Sequence, residues 1–173
     1  YTELIEENRR RGRMLPEYEL LDTGVLDGNR YFDVRVEYAK ANPDDIWMRV
    51  TVTNRGPERA PLHVLPTLWF RNTWAWERKS ESYWPRPELL GEEGRVLARH
   101  ASLGLFRFEP CPVASGGPPE LLFCDNETNA GRLYGAPSRS HWPKDAIHEA
   151  VVNGRRDKVN PDQSGTKVAA HYA

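Results

Sequence analysis

The sequence predicts a mainly β protein, an antiparallel β-sandwich with a short N-terminal helix and a second short helix near residues 145–153. Two neighbouring segments alternate apolar and polar residues, as half-buried strands do. Several shorter apolar segments follow between turns rich in Pro, Gly, Asn and Asp, a spacing typical of sandwiches. The chain has 173 residues, so we expect a single domain, residues 1–173, with a core of its own.

The composition excludes several classes of function. The net charge of -1 argues against a nucleic-acid partner, which would require an excess of basic residues. No apolar run approaches the roughly 20 residues that span a bilayer, and no signal peptide is evident, so we expect no membrane partner and a cytoplasmic location. We expect Cys111 and Cys124 to be free thiols. Because the chain opens at Tyr1, we also expect it to be part of a longer protein.

The first element is a helix predicted over residues 1–14. Leu4 and Ile5 supply its apolar positions, and Pro16 ends it because the proline ring does not fit a helix interior. The basic residues of this helix are interpreted as a solvated or interdomain face, although phosphates or carboxylates are alternative partners. They are Arg9, Arg10, Arg11 and Arg13.

The clearest structure in the sequence is a β-hairpin built from residues 31–40 and 45–54. Every second residue in both segments is apolar, which predicts strands with one buried face, and Asn, Pro and Asp supply the turn between them. On the polar face we expect Asp33 and Glu37 to pair with Arg49 rather than to act as catalytic groups. The apolar face comprises Phe32, Val34, Val36, Tyr38, Ile46, Met48, Val50 and Val52.

A third strand is predicted over residues 61–70. Its apolar residues occupy both odd and even positions, so we expect the strand to be covered on both faces. Pro66 within it predicts a bulge or an edge position. An irregular segment follows over 77–87. Further short strands are predicted at 95–99, 103–109 and 120–124, with a turn rich in Pro and Gly at 110–119.

A long loop–helix excursion, residues 134–165, precedes the last strand. Within it Asp145 is expected to cap a short helix, and Gly154 to follow the end of that helix. The chain then ends with a strand predicted over 166–172.

The segment 65–76 is the first candidate for function. It concentrates three Trp, one Phe, one Arg and one Asn. Aromatic rings stack on the C–H faces of sugars, while Arg and Asn hydrogen-bond hydroxyl groups, so this mixture indicates carbohydrate binding. Burial of the tryptophans in a core is the alternative. The candidate residues are Arg71, Asn72, Trp74 and Trp76.

The excursion supplies the second candidate group, because long irregular loops often carry function. A surface excursion with a docking helix is the alternative. The five histidines and two cysteines show no metal-ligand spacing, and no nucleotide-binding or protease motif occurs. We therefore predict no catalytic residue, no cofactor and no metal in this chain. The candidate substrate-binding residues in the excursion are His141, Trp142 and His148.

Seven sequence runs carry a family resemblance. They are PEYELLDTG (16–24), RYFDV (30–34), VEYAK (36–40), TNRGP (53–57), LPTLWFRNTW (65–74), VNP (159–161) and GTKVAAHY (165–172). Together they span most of the chain and resemble the N-terminal region of large bacterial proteins similar to glycoside hydrolase family 63, which includes the mannosyl-oligosaccharide glucosidases.

The resemblance implies a β-supersandwich that packs on a C-terminal (α/α)6 barrel of the same parent protein. Both catalytic carboxylates belong to that barrel, and the mechanism is inverting. This chain would then be a non-catalytic domain whose loops contribute to an oligosaccharide pocket. An autonomous carbohydrate-binding module would instead present an open aromatic platform, and a structural or oligomerisation β-domain would bury its tryptophans.

Overall fold

A computed structural model describes residues 1–81, 83–113 and 116–173. It divides the chain into two compact units, Tyr1–Pro61 and Leu62–Ala173. The predicted mainly β fold is confirmed, because the described residues form nine strands in three antiparallel sheets and three short α-helices. The single domain over 1–173 stays a prediction. Ser82 in the predicted irregular segment, and Ala114 and Ser115 in the predicted turn, lie outside the described residues.

The unit Tyr1–Pro61 contains one α-helix and one hairpin. The last residue of helix α1 (Thr2–Arg11) is three residues before the predicted end, and Gly12 follows it with φ 63°. Arg10 and Arg11 both hydrogen-bond Glu7, and these bonds hold the pKa of Glu7 at about 2. Strands β1 (Phe32–Asn42) and β2 (Asp45–Asn54) pair antiparallel. The hairpin is therefore confirmed close to its predicted bounds.

The burial predicted for the hairpin is wrong for most of its apolar face. Tyr38 is 71% exposed, and Val34 and Ile46 are also exposed. The physical reason is that residues 1–61 place no second apolar layer over this two-stranded sheet. On the polar face Glu37 lies opposite Arg49 and pairs with it at 2.9 Å as predicted. The pairing predicted between Asp33 and Arg49 is wrong: Asp33 lies opposite Thr53, four residues along the strand from Arg49, and pairs instead with Arg55 at 2.5 Å.

The unit Leu62–Ala173 contains the other two sheets. Their strands are β3 (Thr67–Trp69), β4 (Glu88–Glu92), β5 (Arg95–His100), β6 (Gly104–Phe108), β7 (Glu120–Cys124), β8 (Ser164–Gly165) and β9 (Lys167–His171). One sheet has the strand order β3-β9-β7 and the other β6-β5-β4-β8. The unit also contains helices α2 (Ala130–Tyr134) and α3 (Ala146–Val152).

These two sheets pack face to face and form the first part of the core. Leu89 and Val96 of the four-stranded sheet contact Phe123 and Val168 of the three-stranded sheet. All four side chains are fully buried. Burial of a side chain of this size stabilises the folded state by roughly 1.5–3 kcal/mol, so this contact is a main source of stability for the unit.

Helix α3 covers the opposite face of the three-stranded sheet. Leu122 and Ala169 of the sheet pack with Ala146 and Ile147 of the helix. Because successive residues of a strand point to opposite faces, Val168 meets the other sheet while its neighbour Ala169 meets the helix. The central strand β9 is thus covered on both faces.

Two predicted features differ from the structure, and some elements of the structure were not predicted. The third strand is limited to Thr67–Trp69, and the prediction that it is covered on both faces is wrong because Trp69 is 54% exposed. This strand lies at the edge of its sheet, as Pro66 allowed. Asp145 makes no side-chain hydrogen bond that caps α3, because its carboxylate is bound to other side chains. The structure also adds β4, α2 and β8, which the sequence did not predict; β8 lies at the end of the predicted excursion and pairs with β4.

Candidate functional site

A short 3-10 turn, Trp74–Trp76, is the centre of the first candidate group. Asn72 holds the turn in place, because its Oδ1 accepts a hydrogen bond from the backbone N–H of Ala75 at 3.1 Å. The Nδ2 of Asn72 donates to the carbonyl oxygen of Asn126 at 2.8 Å. Both the oxygen and the nitrogen of the Asn72 amide thus have partners within the protein.

Trp74 also has a structural partner. Its Nε1 donates to Glu127 Oε1 at 2.6 Å, and Glu127 is only 8% exposed. A buried carboxylate requires hydrogen-bond donors to offset its desolvation. Trp74 therefore satisfies Glu127 through its indole N–H, and its ring is half-buried.

Trp76 and Arg71 lie on the surface and form the part of the turn that is open to a ligand. Trp76 is 51% exposed, and the Arg71 guanidinium lies 5.8 Å from its ring centroid. Tyr83 meets the same ring edge-on at 5.9 Å, and Arg78 lies over the Tyr83 ring at 5.6 Å. These four residues, which we call the aromatic surface, combine apolar ring faces with charged hydrogen-bond donors, as sugar-stacking surfaces do.

A polar cleft of about 660 Å³ is lined mostly by the excursion and also by Asn129 and Arg132, which precede it. His141 is among its lining residues, together with basic, acidic and hydroxyl side chains. Arg139 connects this cleft to the tryptophan turn, because its guanidinium donates to the carbonyl oxygen of Ala75 at 3.0 Å and pairs with Glu77 at 3.3 Å. The two features are therefore adjacent. The charged residues that line the cleft are Arg132, Arg139, Arg155, Lys158, Asp145 and Glu149.

The remaining predicted site residues do not join this cleft. Trp142 packs against the core beneath α3, and its carbonyl oxygen accepts from the Asp125 N–H at 2.8 Å. His148 lies in a second, smaller pocket of about 280 Å³, where Ile147 and Val151 are also found. Of the excursion candidates, the structure brings only His141 to the cleft beside the tryptophan turn.

Two buried carboxylates were missed by the sequence analysis. Asp125 bonds Arg86 at 2.5 Å and accepts from the Ser140 hydroxyl at 2.7 Å, and Glu127 binds Trp74. Asp125 follows strand β7 directly and Glu127 comes two residues later. Acidic residues just after an apolar strand are the sequence signal that could have indicated these two carboxylates. Because both carboxylates have donors from distant segments, they fasten the loops around the cleft.

The described residues contain neither a metal-binding cluster nor a helix that could span a membrane. Within 1–81, 83–113 and 116–173, no group of three or more His, Cys, Asp or Glu side chains is placed to hold a metal ion. In the same ranges, every helix is too short or too polar to pass through a bilayer. Cys111 is exposed, Cys124 is buried, and both are free thiols as predicted.

Comparison with known proteins gives one relative of note. The chain is similar to "Uncharacterized protein YMR196W" of Saccharomyces cerevisiae, with 34% identity over 199 aligned positions. The alignment covers 99% of this chain and 18% of the yeast protein. No family model matches the chain, and no solved structure matches it either. The chain therefore spans less than a fifth of the length of this relative.

Proposed function

We propose that this chain is the non-catalytic β-sandwich domain of a cytoplasmic glycoside hydrolase similar to family 63. The parent enzyme cleaves oligosaccharides that contain glucose or mannose, and it inverts the anomeric centre. One carboxylic acid protonates the leaving oxygen while a carboxylate activates water on the opposite face of the sugar. Both groups lie on a C-terminal (α/α)6 barrel that this domain supports.

The observation that carries this proposal is the exposed apolar face of the β1–β2 hairpin. Six of its seven side chains form three pairs across the two strands, Ile46 lies opposite Lys40, and most of the seven are exposed. A contiguous apolar surface is typical of an interface with another protein or domain, and the barrel is the partner that the family resemblance implies. We call this surface the hairpin face. It comprises Val34, Val36, Tyr38, Ile46, Met48, Val50 and Val52.

The aromatic surface supports a contact with the oligosaccharide. Trp76 and Arg71 offer a ring face and a planar donor, and they adjoin the polar cleft through Arg139. Pockets form preferentially at domain boundaries. In this proposal the oligosaccharide that enters the barrel also touches the aromatic surface or the cleft.

An autonomous carbohydrate-binding module is the second candidate, and the same aromatic surface favours it. Such a module binds glycans without a catalytic partner. The purely structural alternative requires buried tryptophans, whereas four of the six tryptophans are exposed. The exposed ones are Trp47, Trp69, Trp76 and Trp84.

The first test measures binding and hydrolysis of oligosaccharides with terminal glucose or mannose. The chain alone is compared with the complete protein that carries the proposed barrel. We expect hydrolysis only when the barrel is present. Turnover by the chain alone would contradict a non-catalytic role, and tight glycan binding without turnover or a barrel would favour the autonomous module.

A second test separates docking from folding. Tyr38→Ser removes an exposed ring from the hairpin face, and Arg35→Ser places the same residue on the opposite face of the same strand. In the complete protein we expect Tyr38→Ser to lower thermal stability and hydrolysis while Arg35→Ser does not. Equal effects of the two substitutions would show that the hairpin face is not the docking surface.

A further inference from the structure

The charged side chains that line the polar cleft are unequal in number. Four are cationic and two are anionic. Which of these six residues a ligand can use depends on the ion pairs and hydrogen bonds that each already makes within the protein. Arg132 pairs with both anionic residues of the lining, and Arg139 pairs with Glu77 outside it. The positive charge that a ligand can use therefore lies at Arg155 and Lys158, where it raises the local concentration of anionic ligands.

The carboxylates of Asp145 and Glu149 are held by neighbouring side chains but keep acceptor positions that a ligand can use. Arg132 Nη1 donates to Asp145 at 3.1 Å and to Glu149 at 3.3 Å. Asn129 also donates to Asp145 at 3.1 Å, and Asn153 donates to Glu149 at 2.9 Å. An ionised carboxylate accepts about four hydrogen bonds. Both groups can therefore accept further bonds from hydroxyl groups in the cleft.

Arg155 and Lys158 share a single carboxylate. Arg155 Nη2 lies 3.3 Å and Lys158 Nζ lies 3.7 Å from Asp157 Oδ2, and Asp157 is exposed. Two cations against one anion leave a positive excess at this end of the excursion. Exposed ion pairs of this kind contribute only about 0–1 kcal/mol each, so an anionic ligand competes with Asp157 at small cost.

We propose that the cleft binds a sugar that carries a carboxylate or phosphate group. Arg155 and Lys158 bind the anionic group, while Asp145 and Glu149 accept hydrogen bonds from the sugar hydroxyls. His141 lines the same cleft and adds a ring that hydrogen-bonds and packs. The inference rests on the proposed carbohydrate function and adds the charge of the ligand.

The size of the cleft agrees with such a ligand. Small-molecule sites usually enclose about 300–1,000 Å³, and this cleft encloses about 660 Å³. A free inorganic anion would use the cations but not the remaining acceptor positions of the two carboxylates. A neutral sugar would use the carboxylates but leave the positive excess unmatched. Only a ligand with both features engages both sets of side chains.

The test is calorimetric titration of the 173-residue chain with four probes, namely glucuronate, glucose 6-phosphate, glucose and inorganic phosphate. We expect at least one of the two anionic sugars to bind about tenfold or more tightly than glucose or phosphate, because a hydrogen bond to a charged group contributes roughly 1.5 kcal/mol or more. Which of the two binds identifies the anionic group. Equal affinity for glucose, or no binding of either anionic sugar, would overturn the proposal.

Matched substitutions locate the site. Arg155→Gln and Lys158→Gln each remove one charge from the cleft, and we expect each to weaken binding of the anionic sugar about tenfold. Arg156→Gln is the control, because Arg156 lies in the same short turn but pairs with Glu120 at 3.0 Å instead of lining the cleft. Unchanged affinity in both cleft variants, or an equal loss in the control, would place the ligand elsewhere.

The two proposals fail in different ways. If the complete protein hydrolyses no oligosaccharide while the chain still binds an anionic sugar through Arg155 and Lys158, the glycosidase proposal is wrong and the ligand assignment stands. If hydrolysis depends on the barrel but glucose and the anionic sugars bind this chain equally, the glycosidase proposal stands and the ligand assignment is wrong.

Discussion

At the residue scale, partners that are distant in sequence decide what each candidate side chain can do. Trp74 and Trp76 are two positions apart in one turn, yet the indole N–H of Trp74 satisfies a buried carboxylate while the Trp76 ring is exposed. The sequence alone could not separate these roles, because Glu127 lies 53 positions away from Trp74. One tryptophan therefore supports the loops and the other is available to a ligand.

The hydrogen bond of Trp74 gives the first prediction. Trp74→Phe keeps an aromatic ring but leaves the Glu127 carboxylate without its indole donor. We expect this substitution to lower the free energy of unfolding by about 1–3 kcal/mol, because a buried charged group loses a partner. Urea denaturation measures the change. The control is Trp69→Phe at an exposed edge-strand position, where we expect a change within about 0.5 kcal/mol, and equal losses would contradict the assigned role.

The buried thiol gives the second prediction, which concerns pH. Burial raises the pKa of Cys124 from its ordinary value of 9.0 to about 12. Because the folded-state pKa is the higher one, the stability contributed by the protonated thiol is complete below pH 9 and is lost as the pH rises toward 12. We therefore expect the free energy of unfolding to fall through this range, and Cys124→Ala to make that fall shallower.

Urea unfolding at about pH 8 and about pH 10.5 checks this expectation. Cys124→Ala also creates a small cavity, so the comparison uses the pH dependence rather than the absolute stability. Cys111→Ala is the control, because the Cys111 thiol is exposed in the folded chain, and it should leave the pH dependence unchanged. The same pH dependence in wild type and Cys124→Ala would contradict the role of the buried thiol.

At the scale of elements, close backbone approach is as important as side-chain packing. Strand β8 ends at Gly165, where a Cβ would lie 2.9 Å from the carbonyl carbon of Cys124 and closer still to its oxygen. The backbone N–H of the next residue, Thr166, donates to that same oxygen. Gly165 therefore allows the β8–β9 connection to pass directly against the end of β7.

This contact gives the third prediction. Gly165→Ala should lower the free energy of unfolding by about 1–3 kcal/mol or more, because rigid backbone must move to admit the methyl group. Gly117→Ala is the control, since a Cβ at position 117 has nothing within 4 Å. Chemical denaturation of the two variants measures both effects. A neutral Gly165→Ala substitution would mean that the β7 and β8–β9 backbones separate easily.

The elements also show how far the sequence could be interpreted. Strict alternation predicted β1 and β2 to within two residues, and an apolar run predicted β9. Strand β4 was missed because Leu89 and Leu90 are adjacent and Gly91 follows. Its five residues therefore do not alternate between apolar and polar side chains. Helix α2 was missed because it spans only five residues, and the Asn129 side chain helps to form it by accepting from the Arg132 N–H.

The candidate site was less predictable than the fold for a physical reason. The sequence located the tryptophan turn and His141, but the cleft obtains Arg132 and Lys158 from segments on either side of α3. Asp125 and Glu127 then fix the surrounding loops through contacts with residues 86, 140 and 74. Such long-range pairs leave no periodic pattern in the local sequence. The composition therefore indicated a polar loop as the candidate site but not which side chains meet there.

At the scale of the whole molecule, the two units differ in how they bury apolar side chains. Both core clusters consist entirely of residues from Leu62–Ala173. By contrast, none of the residues Tyr1–Pro61, all of which the structure describes, is buried. An isolated two-stranded hairpin is marginally stable in water because it lacks a covered face. The exposed hairpin face is therefore the part of the chain for which a partner such as the proposed barrel has the largest effect on stability.

The last prediction follows from this contrast. A fragment of residues 62–173 should fold alone with a cooperative urea transition, because it retains all three layers of its core. A fragment of residues 1–61 should show no cooperative transition, because a helix and a hairpin bury too little apolar area to offset chain entropy. Circular dichroism during urea titration distinguishes the two. An unfolded 62–173 fragment would mean that its core needs residues 1–61, whereas a cooperatively folded 1–61 fragment would mean that the hairpin face is not what limits its stability.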